Sequence, residues 1–346
     1  MAHTQTLPQN RSNNDSVVII GNVVGTLNDN FHTEGTTKNG APYQRINFGI
    51  NVGTEDNPKT IYVELFGTVK KNVYIHRPAM KGGRNGETKP IPWDSRSNVP
   101  SGYRLIGVGV GLEKDADGKN VYSNLTEYDA ISKMAEKLQD GMGVRIRGKI
   151  DFNRFEGKNG EITTTTKYII NSIGLYDTTE QDSPVPSWSQ NLIVTGIEKG
   201  ENGNFEISVA KVGYNSVAYS TVYTHAEKLA NSIRKALTKG YFSCDMWGDV
   251  EIVPITEDTV ETVDEWEETN PTKHLVNTAC TRTLFVTGCD GMNADYDTYT
   301  EESLSEFKKE LDNREKANQT FEGTAKKKAP ATDDWGTEIN SGDLPF

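Results

Sequence analysis

The chain has 346 residues, 34% hydrophobic and 25% charged, room for two or three domains, and no run of about 18 apolar residues that could span a membrane. Net charge is −12, yet residues 1–180 hold 22 Lys and Arg against 20 Asp and Glu, whereas residues 181–346 hold 15 against 29. The overall acidity therefore does not exclude a polyanion partner for the first half, because binding follows the local field.

Residues 1–14 are polar and read as a disordered N-terminus without the apolar core of a secretory signal, which predicts a cytoplasmic protein. Alternating strands follow. Over residues 44–52 (QRINFGINV), Ile46, Phe48, Ile50 and Val52 share one face and Arg45, Asn47, Gly49 and Asn51 the other. Over residues 60–66, Ile61, Val63 and Leu65 oppose Tyr62, Glu64 and Phe66. Val144, Ile146, Gly148 and Ile150 alternate with Arg145, Arg147 and Lys149. Residues 16–27 and 163–175 read as further strands, with a hairpin turn over 155–161. One helix, residues 128–139, carries Ile131, Met134, Ala135 and Leu138 at helical spacing before the stop at Gly141. Three strands, a helix and a hairpin give the order of an OB-fold, a five-stranded Greek-key barrel. This barrel is expected over 15–178, with a basic, Gly- and Pro-rich insertion at 77–104 that contains Trp93.

After a Pro-containing linker at 177–188, a second set follows. Strands are predicted over 192–197, 205–212, 216–223, 241–253 and 282–288, and a helix over 226–237. Residues 134–150 and 226–252 both run from an amphipathic helix through a Gly stop into an alternating strand, as diverged copies of one fold would. The fold class is thus all-β with short helices, a tandem OB-fold with a second, acidic OB-like domain at 188–300. A charged helix and linker (301–332) and a disordered acidic C-terminal tail (333–346) complete it. The tail ends on Asp343, Leu344, Pro345 and Phe346, a Pro-fixed apolar anchor beside a carboxylate that suits docking into an apolar socket with a basic rim.

The first region resembles the bacterial-type single-stranded DNA-binding protein family. The matching pieces occur in order: VVIIGNVVG (17–25), QRINFGINV, TIYVELFG (60–67), GMGVRIRGKIDFNRF (141–155) with GKNGE, and the DLPF ending. The tandem barrels and long insertion depart from the one-barrel bacterial form and fit a phage-encoded relative. The resemblance implies sequence-tolerant coating and protection of single-stranded DNA in replication, recombination and repair. It also implies recruitment of replication and recombination proteins by the tail.

Single strands are held by aromatics that stack on bases and cations that follow phosphates. The outward set of the first barrel is Arg45, Tyr62, Phe66, Arg145, Arg147 and Lys149. Arg154 and Phe155 stand at the base of the hairpin arm. Phe66 and Phe155 fall where the family has stacking aromatics. The family's Trp at the start of the third strand is replaced by Thr60, so Tyr62 or Trp93 is expected to take its part. Alternative functions are a protein-interaction adaptor and a single-stranded RNA binder. No GxxxxGK[ST] loop, HExxH or catalytic dyad occurs, which argues against an enzyme. Cys244, Cys280 and Cys289, with His274, lack zinc-site spacing, so free thiols are expected and no metal or cofactor. Homo-oligomerisation stays open.

Overall fold

The computed structural model describes residues 7–10, 12, 14–54, 57–80, 83, 85–156, 162–178, 185–200, 203–213, 216–254 and 280–322. The first barrel uses β1 (Ser16–Val24), β2 (His32–Thr36), β3 (Pro42–Asn51) and β4 (Thr60–Thr68). A three-stranded sheet follows, β5 (Asn72–Arg77), β6 (Glu87–Pro92) and β7 (Arg104–Leu105). Then come β8 (Val108–Gly111), β9 (Ser123–Leu125), α1 (Glu127–Lys137), β10 (Gly143–Glu156) and β11 (Ile162–Leu175). Antiparallel pairs join β1 to β3, β3 to β4, β1 to β10 and β10 to β11, and a parallel pair of β4 with β11 closes the ring. Five strands closed in this order, with the third and fifth parallel and a helix between third and fourth, are an OB-fold.

Alternation explains the elements. Ile46, Phe48, Ile50, Ile61, Val63, Val144 and Ile146 are all buried inside the ring. Helix α1 closes one end of it, burying Ala130, Ile131 and Met134. Its start is fixed by Thr126, whose hydroxyl accepts from the Asp129 amide at 3.1 Å. It ends at Lys137, two residues short of the expected stop, because Leu138 is already extended.

The second barrel repeats the plan with β12 (Ser187–Lys199), β13 (Phe205–Val212), β14 (Val217–Thr224), α2 (Glu227–Leu237), β15 (Phe242–Pro254) and β16 (Cys280–Cys289). Its ring runs β12–β13–β14–β16–β15, again with the third and fifth strands parallel. The fourth strands match residue for residue. Opposite each X-Gly step, Arg147/Gly148 in β10 and Trp247/Gly248 in β15, the register shifts because the fifth strand carries one extra residue, Asn171 in β11 and Thr287 in β16. Each of those glycines faces a carbonyl oxygen of the adjoining strand, Ile169 or Phe285, at 2.1 and 1.8 Å from where a Cβ would stand. No other residue fits there.

The barrels meet along a short seam where β1 pairs antiparallel with β12, Val17 opposite Trp188. Trp188, placed in the linker by the sequence reading, is instead an early residue of β12, buried and donating from Nε1 to the Asp249 carbonyl at 3.1 Å. Gln190, also buried, donates to the Ile150 carbonyl across the seam at 2.9 Å.

The start of the chain differs from expectation as well. Rather than lying outside the fold, the described residues before Ser16 form a strap on the second barrel. Asn10 is buried, donates to the Asn191 carbonyl and accepts from the Val212 amide. Ser12 donates to Asp245 at 2.8 Å, and the Pro8 carbonyl accepts from the Tyr299 hydroxyl at 3.0 Å. Beside the strap, Leu304 and Phe307 of α3 (Glu301–Glu322) pack on Ile193, Ala210 and Val212 with Leu7 against them. Residues 333–346 lie outside the described residues. No helix among the described residues is long and apolar enough to cross a membrane.

Candidate nucleic-acid interface

Strands two and three of an OB-fold, here β3 and β4, form its usual ligand face. Arg45 and Phe66 are cross-strand partners there, and Tyr62 stands opposite Gly49. None of the three projects freely. Arg45 reaches Glu64 at 2.6 Å, and Lys167 of β11 reaches the same carboxylate at 3.1 Å. Phe66 packs on Tyr43, ring centroids 5.4 Å apart. Tyr62 remains 41% exposed but is covered on one side by the Arg282 guanidinium, 5.0 Å from the ring centroid, which also bonds the Thr60 carbonyl at 2.7 Å. The second barrel thus leans on this face through Arg282.

Burial pushes the Glu64 carboxyl up, but Lys167 and Arg45 together outweigh it and hold the group below its ordinary value. A carboxylate whose folded value is depressed stabilises the fold above the unfolded value, and that contribution is lost as pH falls through the folded one. Glu64→Gln should therefore flatten the acid limb. Melting temperature of the wild type, scanned from about pH 5 to pH 3, should fall more steeply than that of the variant. Parallel acid limbs would show that the network carries no stability.

The fourth strand is different. Arg145, Arg147 and Lys149 are all exposed on the outer face of β10, and among the described residues none of them is in an ion pair. Alternate residues on a strand stand about 6.7 Å apart, so the three make a cationic row about 13 Å long. Arg154 and Phe155 continue this strand into the β10–β11 arm, where they pair with Thr164 and Thr163. Their side chains lie outside the described residues.

Trp93 is not brought to this surface. It sits in a short 3-10 turn, half-buried in the small core of the inserted sheet. Its ring is edge-on to Tyr128 of α1 and covered by the Arg96 guanidinium at 4.4 Å. The stacking role expected of Trp93 is corrected accordingly. The insertion begins at Asn72 rather than residue 77, and three of its described cations are engaged within the fold. Arg96 pairs with Asp129, Arg77 with Glu87, and Arg77 and Lys89 both lie over the Tyr103 ring.

In the second barrel the row equivalent to Arg145, Arg147, Lys149 and Asp151 is Asp245, Trp247, Asp249 and Glu251. Trp247 is 44% exposed, but its neighbours in the row are the acidic Asp245 and Asp249. Residues missed by sequence reasoning are Lys167, Tyr43 and Tyr122. The last is 57% exposed beside the row. Its signal was present in GVGVG (107–111): Val108 and Val110 point inward, leaving a strand with a bare outer face for a ring to rest on.

A comparison with curated proteins gives no match. Among solved structures, the chain is similar to the wild-type single-stranded DNA-binding protein from Thermus aquaticus. Identity is 9%, 80% of this chain and 91% of that chain are covered, and the TM-score is 0.37. A deletion mutant of the same protein gives 8%, 81%, 94% and 0.35. Correspondence at these scores is loose. The family model described as YorF matches residues 80–324, from the inserted sheet through the second barrel into α3. With most of its length so matched, the chain belongs to the YorF family.

Proposed function

We propose that the protein is a non-catalytic, sequence-tolerant single-stranded DNA-binding protein. The observation that carries this reading is the row Arg145, Arg147 and Lys149: three exposed cations, in no ion pair among the described residues, on the fourth strand of a closed OB barrel. Such a row follows a phosphate backbone without reading bases, and its counterion release makes binding salt-dependent. Phe66, Tyr62 and Tyr43 on β3 and β4 of the same barrel supply aromatic surface. The second barrel carries carboxylates on its equivalent row, so it serves as scaffold and as a surface for protein contacts.

Coating and shielding of strands exposed in replication, recombination and repair is the role that fits this chemistry, in a phage-encoded setting. The segment Asp343, Leu344, Pro345 and Phe346 would recruit partner proteins. This part of the proposal rests on the sequence alone.

Titration with oligo(dT), followed by Trp and Tyr fluorescence, tests the reading. Quenching should saturate, change little with base sequence and weaken as salt rises. No quenching and no mobility shift at low salt would sink it. Competition between dT and rU oligomers decides between DNA and RNA, since only 2′-OH contacts separate them.

A further inference from the structure

We infer that Tyr122 is a base-stacking platform built on a glycine floor next to the cationic row, an inference that rests on the binding function just proposed. The platform comes from three strands. β8 lies parallel to β11, Gly109 opposite Ser172 and Gly111 opposite Gly174. β11 in turn places Ser172 opposite Arg147 and Gly174 opposite Arg145. The outer face at this point is therefore Gly109, Gly111, Ser172 and Gly174, with almost no side chain on it.

Tyr122, two residues past the Lys114–Asn120 bridge, lays its ring into this gap. Cε1, Cζ and Cδ1 of the ring stand 2.7, 2.8 and 2.9 Å from where a Cβ of Gly111 would be. Its hydroxyl stands 2.0 Å from where a Cβ of Gly174 would be. Any side chain at either position would evict the ring. Yet the residue keeps 57% of its surface exposed, so it is seated from below and open from above. A core tyrosine would be covered, and a tyrosine on a flexible loop would have no fitted seat.

The neighbours fix the chemistry of the ligand. Arg145 is the cross-strand partner of Gly174, one strand spacing of about 4.8 Å from the floor. Arg147 stands two residues further along β10. A flat ring beside two exposed guanidinium groups suits an unpaired nucleobase with its flanking phosphates. Stacking on such a ring contributes roughly 1–3 kcal/mol per base and tolerates any base, about 5- to 150-fold in affinity. It is insensitive to salt, unlike the phosphate contacts beside it.

The test compares Tyr122→Ala, Tyr122→Phe and wild type on a dT oligomer and on an abasic oligomer of equal length, with circular dichroism and melting curves as controls. Tyr122→Ala should bind dT at least about fivefold more weakly and bind the abasic strand as wild type does, with an unchanged salt slope. Tyr122→Phe should match wild type on both. Equal binding of dT by wild type and Tyr122→Ala overturns the platform while leaving the binding function intact. Equal loss on both oligomers also overturns it, since a structural role would act that way. If the wild type binds neither oligomer, the binding function falls and the platform with it.

Discussion

Replacing Arg145, Arg147 and Lys149 together by Glu should lower affinity for oligo(dT) by about a hundredfold or more at low salt. The size follows from charge alone. Each of these cations is exposed and in no ion pair among the described residues, so each is available to displace a counterion from a phosphate. A single strand contributes about 0.7 to the salt slope per phosphate neutralised, so the slope should fall by about 2. The fold should be untouched, because the inward neighbours Val144, Ile146 and Ile150 form the core and the three side chains are exposed. Melting temperature is the control. Arg45→Glu alone should behave differently: it would break the contact with Glu64 and cost stability as well as binding. If the triple variant binds with wild-type affinity and slope while melting normally, the row is only a solvated strand face. The same variant separates DNA binding from an adaptor role, since a protein partner held elsewhere would not notice it.

The second large effect is on stability. Trp188→Ala should destabilise the protein by about 3–5 kcal/mol, the usual cost of emptying a large aromatic site in a core. Trp188 is 2% exposed, pairs with Val17 of the other barrel and donates its indole hydrogen to the Asp249 carbonyl. The cavity would open where both barrels meet, so near-ultraviolet signals from both should be lost in one shifted transition. Trp247→Ala is the comparison. Trp247 is one strand away on β15, 44% exposed and seated on Gly288. Its removal should cost less than about 1 kcal/mol. Equal melting of the two variants would show that the seam is not packed as described.

These contrasts mark what was legible in the sequence. In the barrels, strands with one wet and one dry face were located by alternation: residues 44–52 became Pro42–Asn51, and residues 205–212 became Phe205–Val212 unchanged, whereas the alternating strand Asn72–Arg77 was not picked out. The repeat was legible for the same reason, since the helix, Gly stop and alternating strand recur in both copies. The β10 row followed directly, because three cations at even spacing can only face out when their neighbours face in. The rest depends on contacts between segments far apart in the chain. Whether Trp93 or Trp188 is exposed cannot be read from the Gly- and Pro-rich residues around them. It depends on Arg96 and Tyr128 in one case and on the opposing Val17 in the other. Arg45 and Lys167 share Glu64 only because the barrel closes β4 onto β11. Tyr122 needed the outer faces of two strands, some 60 residues apart, to be bare at the same place.

The N-terminal strap has a consequence for how the molecule is made. Pro8 and Tyr299 are 291 residues apart, and Asn10 and Val212 are 202 apart. At ribosomal speeds of about 5–20 residues per second, Pro8 waits roughly 15–60 s for its partner. The first barrel can close early in that interval, but its leading residues have nowhere to dock until the second barrel has emerged. This early segment is thus among the last to be placed. It seals the assembly after both barrels are complete, and a bulky fusion ahead of Leu7 would obstruct that final step rather than the folding of either barrel.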